Sequence, residues 1–295
     1  MKSKILNLVK LVRPKNHIKN LFILAPVFFA GKITYLPVFK KILIALLSFC
    51  FISSAVYIIN DLKDISEDRR HPTKKNRPLA AGEISIKEAY ISLSFLICLA
   101  ILLSIYLPIK FSLILLTYFS INLAYSYYLK HIAVIDIFCV ASGFVLRILA
   151  GGIATNINVS MWIIIMTFLL ALFLTIGKRR DDYYLNNEGL KTRKCIYGYN
   201  LEFINACMIL MGAVIIVSYI LYTVSPEITQ KFHSKNLYFT VFFVILGLMR
   251  YFQLILVQKT TADPVRIFWE DRFIQITVGA WLAVFGYFIY APGGK

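Results

Sequence analysis

Histidine, acidic side chains and paired cysteines are all scarce in this 295-residue chain, and each shortage excludes something. Only His17, His71, His131 and His233 are present, widely scattered, so neither a histidine metal site nor a histidine-activated nucleophile finds support. The five cysteines, Cys50, Cys98, Cys139, Cys195 and Cys207, lack metal-ligand spacing. All but Cys195 fall in apolar runs, which makes packing their expected role. No small-residue cleavage site follows the basic amphipathic opening MKSKILNLVKLVRPKNHIKN, so the N-terminus is expected to stay on the protein. Charged residues amount to 16%, short of the quarter or so usual in a soluble domain.

What fills the chain instead is hydrocarbon: 59% of residues are hydrophobic and 15% aromatic. Apolar runs of membrane-crossing length recur near 18–32, 38–59, 87–107, 111–129, 132–154, 160–177, 204–224, 237–257 and 273–291. The expected fold is therefore an all-α integral membrane protein of about nine transmembrane helices, one polytopic domain over residues 1–295. With nine spans, most Lys and Arg fall in the segments on the same face of the membrane as the N-terminus, which places the N-terminus and two charged loops, about 60–88 and 178–203, in the cytoplasm. The net charge of +17 is thus read as attraction to anionic headgroups; no nucleic-acid motif accompanies it.

The first charged loop opens NDLKDISEDRRHPTKKNRP, Asn60 to Pro78, directly after an apolar run. Asp61, Asp64 and Asp68 stand three and seven residues apart, so a continuing helix confines them to a wedge of about 60°. Carboxylates so close raise each other's pKa unless a cation sits between them. A partial cage of oxygens at a membrane surface suits Mg²⁺, which completes its shell with water and a substrate's phosphates. The proline-bracketed HPTKKNRP then brings Lys74, Lys75 and Arg77 within reach of such a phosphate. The plainer alternative is a solvated helix end whose acids pair with Lys63, Arg69 and Arg70.

A second cluster, GKRRDDYYLNNEG, sets Lys178, Arg179, Arg180, Asp181 and Asp182 at the end of another span, four spans on, and hints at an internal repeat around a shared polar site. By itself it reads more readily as a set of snorkelling anchors, and its pairing with the first cluster is what favours a site. Arg147, in SGFVLRILAGG, is ionisable inside a span and so a functional candidate, with Gly143, Gly151 and Gly152 allowing close helix approach around it. Arg250 lies in the eighth run without an acidic neighbour in sequence; a structural ion pair and a lipid-phosphate contact are both open.

NDLKDISEDRRHPTKKNRPLAAG resembles the first aspartate motif, N-D-x-x-D-x-x-x-D, of the UbiA-type intramembrane prenyltransferase superfamily. Its tail, with RPKNHIKNLFILAPVFFAG, GFVLRILAGG and LALFLTIGKRRDD, is similar to the superfamily's phosphoribosyltransferase branch, over about Arg13 to Tyr290. The second motif departs from that of prenyl-transferring relatives, because its acids are adjacent. The resemblance implies a nine-helix bundle around a central cytoplasm-facing cavity in the cell membrane. It also implies Mg²⁺-dependent transfer of phosphoribose from phosphoribosyl pyrophosphate to a polyprenyl phosphate such as decaprenyl phosphate, releasing pyrophosphate. Asp61, Asp64 and Asp68 would hold the metal, and Asp61, Asp64 and Asp182 would be catalytic. Asn60, Lys19, Asn20, Lys74, Arg77, Arg147, Lys178, Arg179 and Tyr199 would bind substrate. A prenyl diphosphate donor with an aromatic or glycerol-phosphate acceptor uses the same metal logic, and a transporter of phosphorylated lipid is the reading from another class.

Overall fold

A computed structural model describes residues 2–70, 74–189, 194–232, 234–258 and 263–290, and no strand occurs among them. Residues 71–73 of the first charged loop and 190–193 of the second lie outside the described residues. The helices are α1 (Lys2–Leu11), α2 (Ala25–Phe29), α3 (Leu36–Lys63), α4 (Ile65–Asp68), α5 (Ile86–Ser104), α6 (Ile109–Tyr127) and α7 (Ile135–Thr155). They continue with α8 (Met161–Asn187), α9 (Leu201–Val224), α10 (Pro226–Lys231), α11 (Thr240–Phe252), α12 (Pro264–Glu270) and α13 (Arg272–Tyr290). Eight helical segments are long and apolar enough to cross a membrane: α3, α5, α6, α7, α8, α9, the 236–257 stretch containing α11, and α13.

The remaining expected span, 18–32, is built differently. Pro14–Leu24 is a 3-10 helix and only Ala25–Phe29 is α-helical. A 3-10 turn rises about 2.0 Å per residue, so eleven such residues reach about 22 Å, and the five α-helical ones add about 7 Å. That sum is close to the hydrocarbon thickness of about 30 Å. The segment packs along α7, where Gly151 admits it: a Cβ there would lie 2.0 Å from the Ile23 carbonyl oxygen.

Helix lengths set the height of the charged ends. α3 and α8 have 28 and 27 residues, about 40 Å each, so both overrun the hydrocarbon and carry Asp61 and Asp182 towards its edge. Central and peripheral helices also separate by burial. In their most apolar windows α3 and α7 are 56% and 50% buried, whereas α13 is 11% buried and turns its apolar side chains to lipid.

Ion pairs gather one end of the bundle: Lys4 of α1 with Glu88 of α5, Lys130 beyond α6 with Asp64, and Lys178 of α8 with Asp263 before α12. Elsewhere the bundle is closed by aromatics packed mostly edge to face, Phe28, Phe29, Trp281 and Phe285, with Trp281 donating to the Tyr219 hydroxyl at 2.7 Å. Arg250 makes a structural ion pair, 2.7 Å from Asp271, and that carboxylate also caps the first turn of α13 through the Ile274 N–H.

Candidate active site

At the first acidic motif the backbone breaks its α-helix at Asp64, φ −97° and ψ 13°, so α3 ends at Lys63 and α4 resumes at Ile65. A continuous helix through Asp68 was the expectation; the break instead separates the three carboxylates into two groups. Asp61 and Asp68, 2% and 3% exposed, share Arg77, whose Nη1 lies 3.0 Å from Asp61 and 2.5 Å from Asp68. Asp64 turns away to Lys130, which donates to both its oxygens at 2.6 and 2.8 Å. Like charges at this density each require a cation, and the chain supplies three: Arg77, Lys130 and Arg13, which also donates to Asp61 Oδ1. Arg13 reaches there from a left-handed backbone, φ 53° and ψ 61°, with its guanidinium over the Tyr57 ring. Burial pushes the Asp68 carboxyl above its ordinary range, against the opposing pull of Arg77 and, further off, Lys74.

The expected residues Asn20 and Arg147 meet. Arg147 is 4% exposed and spends its guanidinium on neutral partners: Asn20 Oδ1, the Gly143 carbonyl and the Tyr118 hydroxyl, each at 2.8 Å. Asn20 in turn donates to Ser53 of α3 at 3.0 Å. Arg147 thus ties α7, α6, the 3-10 segment and, through Asn20, α3 together.

At the second motif three consecutive cations tie down three different elements. Lys178 lies 3.2 Å from Asp263, the residue that caps α12 through the Val265 N–H. Arg179, 1% exposed, is held between Asp136 and Asp182, at 2.5 Å from each. Arg180 donates to the Ile255 carbonyl at 2.6 Å, within the π-helical turn Gln253–Val257 that ends α11. Tyr199 donates its hydroxyl to Asp136 at 2.7 Å and accepts the Val134 N–H at 2.6 Å. Burial and then the Asp136 carboxylate hold the Tyr199 phenol well above its ordinary pKa, so it stays a donor. Burial would raise Asp263, but Lys178 and Lys19 outweigh it and hold the carboxyl below its ordinary range.

Residues 21–277 match the model of the UbiA prenyltransferase family. The chain belongs to that family. It is accordingly an enzyme, a transferase embedded in a membrane by multiple spans. Among similar proteins, the decaprenyl-phosphate phosphoribosyltransferase of Mycolicibacterium smegmatis is 31% identical, over 98% of this chain and 94% of its own length. The protein of the same name from Corynebacterium glutamicum is 31% identical over 93% of this chain and 84% of its own. A solved UbiA homolog from Archaeoglobus fulgidus, bound to GPP and Mg²⁺, shares the fold: TM-score 0.69, 22% identity, 96% of this chain and 98% of that one.

The UbiA likeness directs attention to the two acidic motifs, yet four partners of those motifs escaped the reading of the residues. Arg13, Lys130, Asp136 and Asp263 each lie far in sequence from the carboxylate or cation they engage. Asp136 carried a usable signal, an acid inside the apolar run 132–154, the same signal that singled out Arg147. Lys130 looked like one more basic residue at a span end. Among the described residues no three His, Cys, Asp or Glu side chains converge as a ready metal site; Arg77 bridges Asp61 and Asp68, and Lys130 holds Asp64. The donor set nevertheless fits a hard divalent ion in kind: three carboxylates, all oxygen, whose present counter-ions are cations that also bind phosphate.

Proposed function

We propose that this enzyme transfers 5-phosphoribose from phosphoribosyl pyrophosphate to a membrane polyprenyl phosphate such as decaprenyl phosphate, releasing pyrophosphate, at the cytoplasmic face of the cell membrane. The observation that carries the reading is the ring of Arg13, Arg77 and Lys130 around Asp61, Asp64 and Asp68. Such alternation of acids and cations suits a metal-bound diphosphate, whose oxygens can take over the cations as the acids turn to metal. The names of the near full-length relatives support phosphoribose rather than a prenyl group as the unit transferred.

Asp61, Asp64 and Asp68 would hold Mg²⁺, which when bound helps neutralise the charge of the departing pyrophosphate. Arg77, Lys74 and Lys130 neutralise the diphosphate from the protein side, and Lys178 and Lys19 face the ribose 5-phosphate. The bond from the anomeric carbon to the diphosphate oxygen breaks, its electron pair leaving with pyrophosphate. An oxygen of the acceptor phosphate then bonds to that carbon. Asp182 faces the positive charge that builds on the ribose ring. The acceptor is already an anion at neutral pH, so no side chain has to activate it.

Purified protein given Mg²⁺, labelled phosphoribosyl pyrophosphate and polyprenyl phosphate should form labelled lipid and release pyrophosphate. Consumption of labelled prenyl diphosphate, with none of the sugar donor, would replace this reading with a prenyl transfer. The GPP-bound Archaeoglobus structure is the observation on that side.

A further inference from the structure

The segment between α6 and α7, taken with the first turn of α7, touches both acidic motifs. Lys130 holds Asp64 of the first, and Asp136, six residues on, holds Arg179 and through it Asp182 of the second. Between them Val134 adopts φ 69° and ψ −50°, unusual for a β-branched side chain, and Ile135 N–H bonds back to the Ala133 carbonyl at 2.9 Å. Together these make a tight γ-turn, a conformation that a surrounding structure has to enforce. The Tyr199 hydroxyl braces it from outside, accepting the Val134 N–H and donating to Asp136, in addition to the backbone bond from the Asp136 N–H to the Ile132 carbonyl. Gly198 beside it leaves the turn room, since a Cβ there would meet the Ala133 methyl at 2.6 Å.

We propose that Tyr199 and Asp136 are positioning residues: by clamping the γ-turn they fix where Lys130 and Arg179 stand, and so the placement of Asp64 relative to Asp182. Neither acts on the donor directly. Asp136 is fully buried and both its oxygens are engaged by the protein, as is the Tyr199 hydroxyl. A rigid clamp is useful here because one donor has to meet carboxylates of two motifs on separate helices, and small misplacements of reacting groups cost turnover far more than binding. The inference rests on the reading that both motifs act on a single donor.

The test compares wild type with Tyr199→Phe, which keeps the ring and removes the hydroxyl, and with Asp136→Asn. Two measurements are made on detergent-solubilised full-length protein: steady-state kinetics with Mg²⁺ and phosphoribosyl pyrophosphate, and amide hydrogen exchange without substrate. In Tyr199→Phe, kcat per folded molecule should fall about 10- to 100-fold while KM for the donor stays within about twofold. Exchange should quicken at 128–136 and also at 178–182, which a hydroxyl serving only its own turn would not affect. Asp136→Asn should fall at least as far, and the double variant no further than the worse single, because the two residues form one clamp. Turnover per folded molecule equal to wild type overturns the proposal; so does lost turnover without the distant quickening, or a loss that tracks only the unfolded fraction. If wild type transfers a prenyl group instead, the functional reading fails, and the same pair of measurements with that donor decides this one.

Discussion

The carboxylates of the first motif divide unequally among three cations, Arg13 and Arg77 on Asp61, Arg77 on Asp68 and Lys130 on Asp64, and that division predicts unequal substitutions. Asp61→Asn and Asp64→Asn should abolish turnover with the protein still folded in the membrane, as judged by size-exclusion profile and lipid-labelling assay; retained activity would remove them from the metal site. Arg77→Ala leaves Asp68 without its partner and takes a donor from the diphosphate, so kcat should fall by about 10²-fold. Asp263 offers a pH signature. Its folded pKa is held below the ordinary 3.8, so it adds stability above that value and loses the contribution as pH falls through the lower folded one. Asp263→Asn, which keeps a capping oxygen for α12, should therefore melt slightly below wild type at pH 7, with the difference closing under acid conditions; a difference independent of pH would show that the Asp263 charge is not its source. The pair is about a third exposed on each side, so the effect is small.

At the scale of elements, the decisive contact is between the 3-10 segment and α7. Gly151 leaves no room for a side chain against the Ile23 backbone, and Asn20, three residues before Ile23, accepts from Arg147. Gly151→Val should push the segment off α7, breaking the Asn20–Arg147 bond, at a cost of about 1–3 kcal/mol. Thermal unfolding in detergent should record the loss, together with reduced turnover because Lys19 and Arg13 lie on the displaced stretch. The spans α3 to α13 were legible because roughly twenty apolar residues in a row have few alternatives to a membrane helix. The build of the first, 18–32, was not, since hydropathy does not distinguish a 3-10 helix from an α-helix, and Pro14 and Pro26 each remove a backbone donor there.

For the whole molecule, charge is concentrated at one end of the bundle and aromatic packing closes the structure elsewhere, an asymmetry that suits a reaction between a water-soluble phosphorylated donor and a lipid. Chelation with EDTA should stop transfer and excess Mg²⁺ restore it, read by the same labelled-lipid assay; turnover surviving chelation would separate the carboxylates from any metal. Stability should respond less, because Arg13, Arg77 and Lys130 neutralise the acids when metal is removed.

The sequence alone determined that this chain inhabits a membrane, that Asp61, Asp64 and Asp68 crowd the end of one span, and that a second charged cluster ends a later span. Composition, run length and spacing are local quantities, and these conclusions need nothing more. Only the tertiary structure decided which cation serves which acid. Lys130 and Asp64 are 66 residues apart, and Arg179 and Asp136 are 43. Partners so distant are chosen by how helices pack, not by any pattern along the chain, and a helix break at Asp64 was enough to send one carboxylate to a different partner from its neighbours.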